Sequence, residues 1–202
     1  LESAAFAKVD VVIGTLEMSS DLATKDRQWY TPLILVDEAA QATEPMTVMV
    51  FQLARGDTHV VLIGDHMQLA PTVLSENAAF KGLGTSMFER LWRVPGIDAC
   101  MLTLQYRMHE SICYWPSLEF YGSKLSSHPS VGTRCRVRGF PWPQNSALAF
   151  VHIKGKEKLS EKRSVSNVVE ASVAIVVVRH VVLARSVWPH DIGVITPYDA
   201  QT

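Results

Sequence analysis

Cysteine is scarce, neither sign of charge dominates, and no apolar run is long enough to cross a bilayer. The three cysteines, Cys100, Cys113 and Cys135, are an odd number without CxxC or metal-like spacing. That gives no basis for a disulfide framework or a thiolate metal site and fits structural thiols in a reducing, intracellular compartment, cytoplasm or nucleus. With 19 basic and 20 acidic residues the net charge is −1, so no overall basic field exists. Any contact with nucleic acid must then use a local surface or neutral backbone groups. The most apolar stretch, Val173 to Ala184, is broken by Arg179 and His180 and is too short to span a membrane. No basic-then-apolar leader opens the chain, no internal repeat is visible, and a soluble chain without a membrane partner is expected.

What is present is enough apolar residue, 48% of 202, to build a core for one large domain or two small ones. The chain is organised around Leu33 to Gln41. Leu33, Ile34, Leu35 and Val36 form an unbroken apolar run that predicts a strand buried on both faces, ending in Asp37-Glu38. Open parallel sheets bind ligands at the carboxyl ends of their strands, so paired acids there face a cleft. Such a pair suits nucleoside-triphosphate hydrolysis, one carboxylate for Mg²⁺ and one for the attacking water. It equally suits the start of a helix, where negative charge is favourable.

Val9, Val11, Val12 and Ile13 predict a strand running into Gly14-Thr15, where Thr15 is either a phosphate-facing hydroxyl or a simple helix cap. Residues 21–30 read as a surface helix or loop closed by Pro32. Pro45 opens a predicted helix through Val48, Phe51 and Leu53, with Thr43 or Glu44 at its start. His59 to Ile63 is a second predicted buried strand, followed by Gly64-Asp65-His66-Met67-Gln68-Leu69-Ala70-Pro71. If the two strands are parallel neighbours, Gln68 lies beside Glu38, where a neutral amide can bond both a terminal phosphate and a water. Asp37, Asp65, His66 and His109 also compose a ligand set for a two-metal phosphoesterase, although the chain is poor in histidine near strand ends.

Farther on, Ser86 to Trp92 predicts a core-packing helix stopped by Pro95-Gly96, and Met101 to Leu104 a third strand delivering Gln105-Tyr106-Arg107-Met108-His109. The tyrosine suits stacking on a base and the arginine a forked contact to phosphate; a core aromatic beside a surface ion pair is the plainer alternative. The aromatic run Tyr114, Trp115, Phe120 and Tyr121 predicts a packed helix with a kink or restart near Pro116. Arg134, Arg136 and Arg138 alternate along a basic edge, either phosphate-facing or solvated. Leu148 to Ile153 predicts a strand, Lys154 to Arg163 an exposed loop, and Asn167 to Glu170 a reciprocal cap on a helix from Val168 to Leu183. Ile192 to Ile195 predicts a last strand entering Thr196-Pro197-Tyr198.

Four strings taken together carry a resemblance: Val36-Asp37-Glu38-Ala39-Ala40-Gln41-Ala42-Thr43-Glu44-Pro45, Gly64-Asp65-His66-Met67-Gln68-Leu69, Leu104-Gln105-Tyr106-Arg107-Met108-His109 and Ile195-Thr196-Pro197-Tyr198. In order and spacing they resemble motifs of the superfamily 1 helicases, in the Upf1-like branch that includes the nonsense-mediated-decay helicase and senataxin. Connecting text such as Ser86-Met87-Phe88-Glu89-Arg90-Leu91 is also similar, and the likeness covers about Asp10 to Gln201. It implies an α/β fold of two RecA-like parallel-sheet lobes, both incomplete here: residues 1–94 from the first and 95–202 from the second, with ATP between them. It further implies Asp37 as the Mg²⁺ ligand, Glu38 as the water-activating base, Gln68 as the γ-phosphate sensor, Arg107 as an arginine finger and Tyr106 stacking near the nucleotide. Thr15, Pro71, Thr196 and Tyr198 fall in motifs that touch single-stranded RNA or DNA, with 5′ to 3′ movement by family likeness.

One departure matters. No GxxxxGK[ST] loop occurs: Lys81-Gly82-Leu83-Gly84-Thr85-Ser86 has the wrong order and Lys154-Gly155-Lys156 lacks the loop. The expectation is the middle of a longer ATP-dependent helicase that does not hydrolyse ATP by itself. A non-catalytic nucleic-acid-binding or scaffold module is the alternative.

Overall fold

The computed structural model describes residues 9–25, 31–132, 137–144, 146–160 and 164–201. Residues 26–30 of the predicted surface segment, residues 161–163 of the predicted loop, and Arg134 and Arg136 of the basic edge lie outside them. The chain divides between Cys100 and Met101 into two compact units.

The first unit contains α1 (Leu16–Lys25), β1 (Leu33–Val36), α2 (Glu44–Val50), β2 (His59–Leu62) and α3 (Met87–Trp92). β1 and β2 pair in parallel, with Leu33 opposite His59 and Val36 opposite Leu62. A parallel pair needs a crossover, and α2 supplies it. Its start follows the sequence: Thr43 is the N-cap in extended conformation and Pro45 occupies the first turn, where a missing N–H costs nothing. At Ser86 the hydroxyl accepts the Glu89 N–H at 3.1 Å and so caps α3. The core lies on one face of the sheet, where Ile34, Val36, Ala39 and Val50 meet Leu16, Phe51, Leu53, Val60, Leu62 and Phe88.

β1 is therefore not buried on both faces. Ile34 and Val36 are 6% and 4% exposed, whereas Leu33 and Leu35 are 52% and 60% exposed, as are Val61 and Ile63 to a lesser degree. Side chains alternate across a strand, and among the described residues only one face of this sheet is covered. Val9 to Ile13 does not form the predicted strand; Val11 and Ile13 lie open to solvent. A strand exists only where a neighbour takes its hydrogen bonds, and none is found among the described residues.

In the second unit β3 (Leu104–Gln105) pairs in parallel with β4 (Ser126–Ser127), around α4 (Glu110–Phe120). The third predicted strand is thus shorter and later than Met101 to Leu104, although Thr103 O accepts the Ser126 N–H at 2.8 Å. Pro116 is carried inside α4 without ending it. Cys113 and Ser117 are the buried positions of that helix, and Tyr114, Trp115 and Phe120 are exposed, not packed as predicted. α5 (Pro129–Gly132) follows β4. Part of the predicted loop is an antiparallel pair, β5 (Lys158–Leu159) with β6 (Val165–Ser166).

The helix predicted from Val168 to Leu183 forms with those bounds as α6, capped by Asn167, whose Oδ1 accepts the Val169 and Glu170 N–H groups. The reciprocal partner differs. Gln201 Oε1, not Glu170, takes the Asn167 N–H at 2.6 Å, while Gln201 Nε2 donates to Asn167 O at 3.0 Å. Leu148 to Ile153 and Ile192 to Ile195 have no strand neighbour among the described residues and are irregular; Ile195 is 95% exposed.

An ion pair joins elements far apart in the first unit. Arg90 on α3 grips Glu44 of α2 through both forks, at 2.6 and 2.8 Å. The guanidinium's hydrogen bonds hold the Glu44 carboxyl below its ordinary value, and the carboxylate raises Arg90 in turn. A depressed folded-state carboxyl value stabilises above the unfolded value and loses that effect as pH falls through the folded one. Glu44→Gln should therefore lower Tm at pH 7 but not at a pH below the Glu44 carboxyl's folded-state value. Melts at the two pH values, at low and high salt, check this; an equal loss at both would mean that the pair contributes by packing, not charge.

Candidate functional site

The parallel ladder does not stop where the strands end. Ile63 N–H donates to Val36 O and Ala39 N–H to Ile63 O, both at 2.8 Å. These bonds carry the Asp37 to Gln41 turn alongside the start of the Gly64 to Gln68 loop. The small residues explain how closely they meet. Ala39 and Ala40 are almost completely buried, and a β-carbon at Gly64 would lie 2.8 Å from Ala40 N. Only glycine fits there.

With the alanines turned inward, the acids turn outward. Asp37, Glu38 and Gln41 are all exposed. Glu38 sits at φ +50°, the left-handed region, where a residue with a β-carbon is strained by roughly 1 to 2 kcal/mol. Strain of this kind persists where surrounding structure imposes it and clusters at functional positions. Here Glu38 N–H donates to Asp37 Oδ1 at 3.0 Å, Gln41 N–H to Glu38 O at 2.9 Å, and Gln41 Nε2 to Glu38 Oε2 at 3.0 Å. The carboxylate is thus oriented by the amide three residues on. In the neighbouring loop Asp65 accepts the Met67 N–H at 3.0 Å and Gln68 Nε2 at 2.7 Å, which fixes the exposed Gln68 amide. Gln41 and Asp65 are orienting residues that sequence patterns alone did not single out for that role; their i, i+3 spacing to Glu38 and Gln68 was the available signal.

His66 packs against the aromatic residues of α3. Its ring lies 5.4 Å from that of Trp92 and 6.3 Å from that of Phe88, a packing contact. Among the described residues no three His, Cys, Asp or Glu side chains assemble in metal-binding geometry. His109 has a different task, accepting the Ser111 N–H through Nδ1 at 3.2 Å at the start of α4.

On the second unit the loop bearing Tyr106 and Arg107 is tied down by Gln105. Its Oε1 accepts the N–H groups of Arg107 at 2.8 Å and Met108 at 2.7 Å, while Nε2 donates to Met108 O and Ser127 Oγ, both at 2.6 Å. One amide side chain thereby closes the turn and joins it to β4. Arg107 is exposed. Tyr106, half exposed, rests one ring face on His128, centroids 4.6 Å apart at 29°.

The remaining predicted contacts are local. Thr15 precedes α1 and its Oγ1 accepts the Met18 N–H at 3.4 Å, the cap reading. Backbone and Thr15 hydrogen bonds lower the nearby Glu17 carboxyl from its ordinary value. Pro71 is buried, so any ligand there meets its exposed neighbours Ala70 and Thr72. Thr196 Oγ1 accepts the Tyr198 N–H at 3.2 Å, and Tyr198 is half exposed.

Parallel strands ending in an acidic turn and a polar loop define an α/β protein. Two family profiles, each described as an AAA domain, match residues 1–76 and 83–202. The chain is 39% identical over 175 residues to the 3'-5' exoribonuclease HELZ2 of Homo sapiens, covering 83% of this chain and 6% of that protein. It is 37% identical over 203 residues to regulator of nonsense transcripts 1 of Dictyostelium discoideum, covering 100% of this chain and 15% of the relative. To the ATP-dependent helicase upf1 of Schizosaccharomyces pombe it is 40% identical over 171 residues, 83% and 18% of the two chains. The chain belongs to the AAA-domain helicases of superfamily 1, in their Upf1-like branch. It spans less than a fifth of the length of each of these relatives.

Two stability measurements test the geometry of the first unit. At a left-handed position glycine is unstrained and alanine is not, so Glu38→Gly should be more stable than Glu38→Ala by about 1 kcal/mol in urea unfolding. The reverse order would remove the strained turn. Gly64→Ala forces the loop off the Ala39-Ala40 backbone and should cost about 1 to 3 kcal/mol. An unchanged urea midpoint would mean that the two loops do not touch.

Proposed function

We propose that this chain is part of the core of an ATP-dependent helicase that couples nucleotide hydrolysis to movement along single-stranded RNA or DNA. The observation that carries the reading is the strained, outward-facing Glu38, held by Gln41, with Gln68 oriented by Asp65 in the loop after β2, in a chain of this helicase family. In this reading residues 1–94 belong to one RecA-like lobe and residues 95–202 to a second.

Asp37 holds Mg²⁺. The donor chemistry fits, because Mg²⁺ is commonly held by one or two carboxylates together with water and substrate phosphates, without a cage of protein ligands. When bound, the ion neutralises charge on the phosphates. Glu38 orients and deprotonates the attacking water, and its fixed carboxylate keeps that proton acceptor in place. Gln68 reads the terminal phosphate. Arg107 meets the charge that develops in the transition state, and Tyr106 stacks near the nucleotide. Thr15, Pro71, Thr196 and Tyr198 belong to segments that meet the nucleic-acid strand.

A phosphate loop of GxxxxGK[ST] form is not among these 202 residues, so nothing here cradles the β- and γ-phosphates. The chain alone should show no Mg²⁺-dependent ATP turnover above background, with or without single-stranded RNA or DNA; measurable turnover would refute that. In a polypeptide carrying this chain together with such a loop, Arg107→Ala should reduce kcat by about 10³ to 10⁵, the range known for arginine fingers, without lowering Tm. An Arg107→Ala variant within tenfold of wild type would end the arginine's proposed role, and Glu38→Gln with full activity would end the hydrolytic reading.

A further inference from the structure

A cleft of about 750 Å³ on the second unit is lined by none of the residues assigned above. One wall is the loop Val137 to Trp142, the other the residues that leave α6, Ala184 to Ser186. The walls are fastened at the backbone. Arg138 N–H donates to Ser186 Oγ at 2.8 Å, and a β-carbon on Gly139, at φ +93°, would lie 2.9 Å from Val181 Cα. Only glycine lets the loop approach the helix this closely.

The lining combines an apolar part, Val137, Phe140, Pro141 and Ala184, with one cation on each wall, Arg138 on the loop and Arg185 past the helix. Both arginines are exposed, and the lining contains no carboxylate. Among the described residues neither guanidinium joins an ion pair, whereas Arg90 and Arg93 of the first unit are each held by a glutamate. The surrounding sequence is one-signed as well. From Phe120 to Lys156 there is no Asp or Glu, against three lysines and three arginines, and from Ala171 to His190 none, against Arg179 and Arg185. In a chain of net charge −1 both walls therefore come from acid-free stretches, which leaves the cleft with a positive field. The dipole of α6 favours a cation at Arg185, but it gives no reason for Arg138 on the facing wall.

We infer that this cleft is a docking site for an acidic peptide segment of a partner protein, with an apolar side chain against Phe140 and Pro141 and flanking carboxylates on Arg138 and Arg185. The occupant follows from charge complementarity. A guanidinium takes a carboxylate through two parallel hydrogen bonds, and arginines grouped about a cleft recognise acidic motifs. An apolar centre with a charged rim is also the anatomy of a protein interface. A nucleic-acid strand fits less well: the rings of Phe140 and Trp142 meet at 58° and make no flat platform for successive bases, and the lining holds two cations, not a row that tracks a phosphate backbone. The inference does not rest on the helicase reading.

The test is fluorescence anisotropy on the 202-residue chain at low salt, with labelled Glu-Glu-Phe-Glu-Glu and its counterparts in which glutamine or lysine replaces every glutamate. The glutamate peptide should bind and the other two should not. Losing two exposed charge pairs in Arg138→Gln/Arg185→Gln should weaken it about tenfold. The charge-swapped Arg138→Glu/Arg185→Glu should instead take the lysine peptide. Replacing the peptide's phenylalanine by glycine should weaken binding about fivefold in the wild type and leave it unchanged in Phe140→Ala. The exposed arginine variants cover the case in which Phe140→Ala does not fold, judged by circular dichroism. No binding of the glutamate peptide, binding of the glutamine peptide as tightly, or wild-type affinity in the arginine variants would overturn the inference. So would a deoxythymidine strand that displaces the peptide at lower concentration than the unlabelled peptide does, which would make the cleft a nucleic-acid surface. Turnover assays on Glu38→Gln bear on the helicase reading alone.

Discussion

The parallel pairing of β1 with β2, carried past the strand ends by the Ile63 and Ala39 amides, is the constraint on which the first unit depends. Each bond is ordinary. Their placement is what matters, because two more rungs bring a turn and a loop to the same sheet end. The approach requires the smallest residues, and Gly64, Ala39 and Ala40 supply them. Once the alanines are committed inward, Asp37 and Glu38 have only outward directions left. Strain at Glu38 is then a product of the packing beneath it.

Three side-chain amides stand around the proposed chemistry, two of them orienting other groups and one itself oriented. Gln41 bonds the Glu38 carboxylate, Gln68 is itself bonded by Asp65, and Gln105 holds the backbone on both sides of Arg107. An amide suits this work because it donates and accepts at once and keeps its charge state at every physiological pH. The same device recurs away from the site, where Gln201 satisfies both backbone groups of Asn167 at the head of α6.

Both units carry apolar surface that the described residues leave uncovered. In the first, Leu33, Leu35, Val61 and Ile63 share the outer face of the sheet; in the second, Val168, Ile175, Val176 and Leu183 stand out from α6. Three β-rich segments, Val9 to Ile13, Leu148 to Ile153 and Ile192 to Ile195, remain irregular for a related reason. Their composition favours strand, but a strand is a relation between two segments, and no second segment is paired to them among the described residues.

Local features were therefore legible in the sequence. Thr43-Pro45 and Asn167 announced the starts of α2 and α6, the apolar runs located β1 and β2, and the order of four short motifs indicated the helicase family. The caps, the apolar runs and each single motif depend on residues within a turn or two of one another, so the chain states them directly. Long-range features were not legible: the single covered face of the sheet, the left-handed backbone of Glu38, the Gln105 clamp and the Phe140–Trp142 cleft. These arise only when segments distant in sequence compete for the same space and the same hydrogen bonds, and that competition is decided by the folded chain, not by the order of its residues.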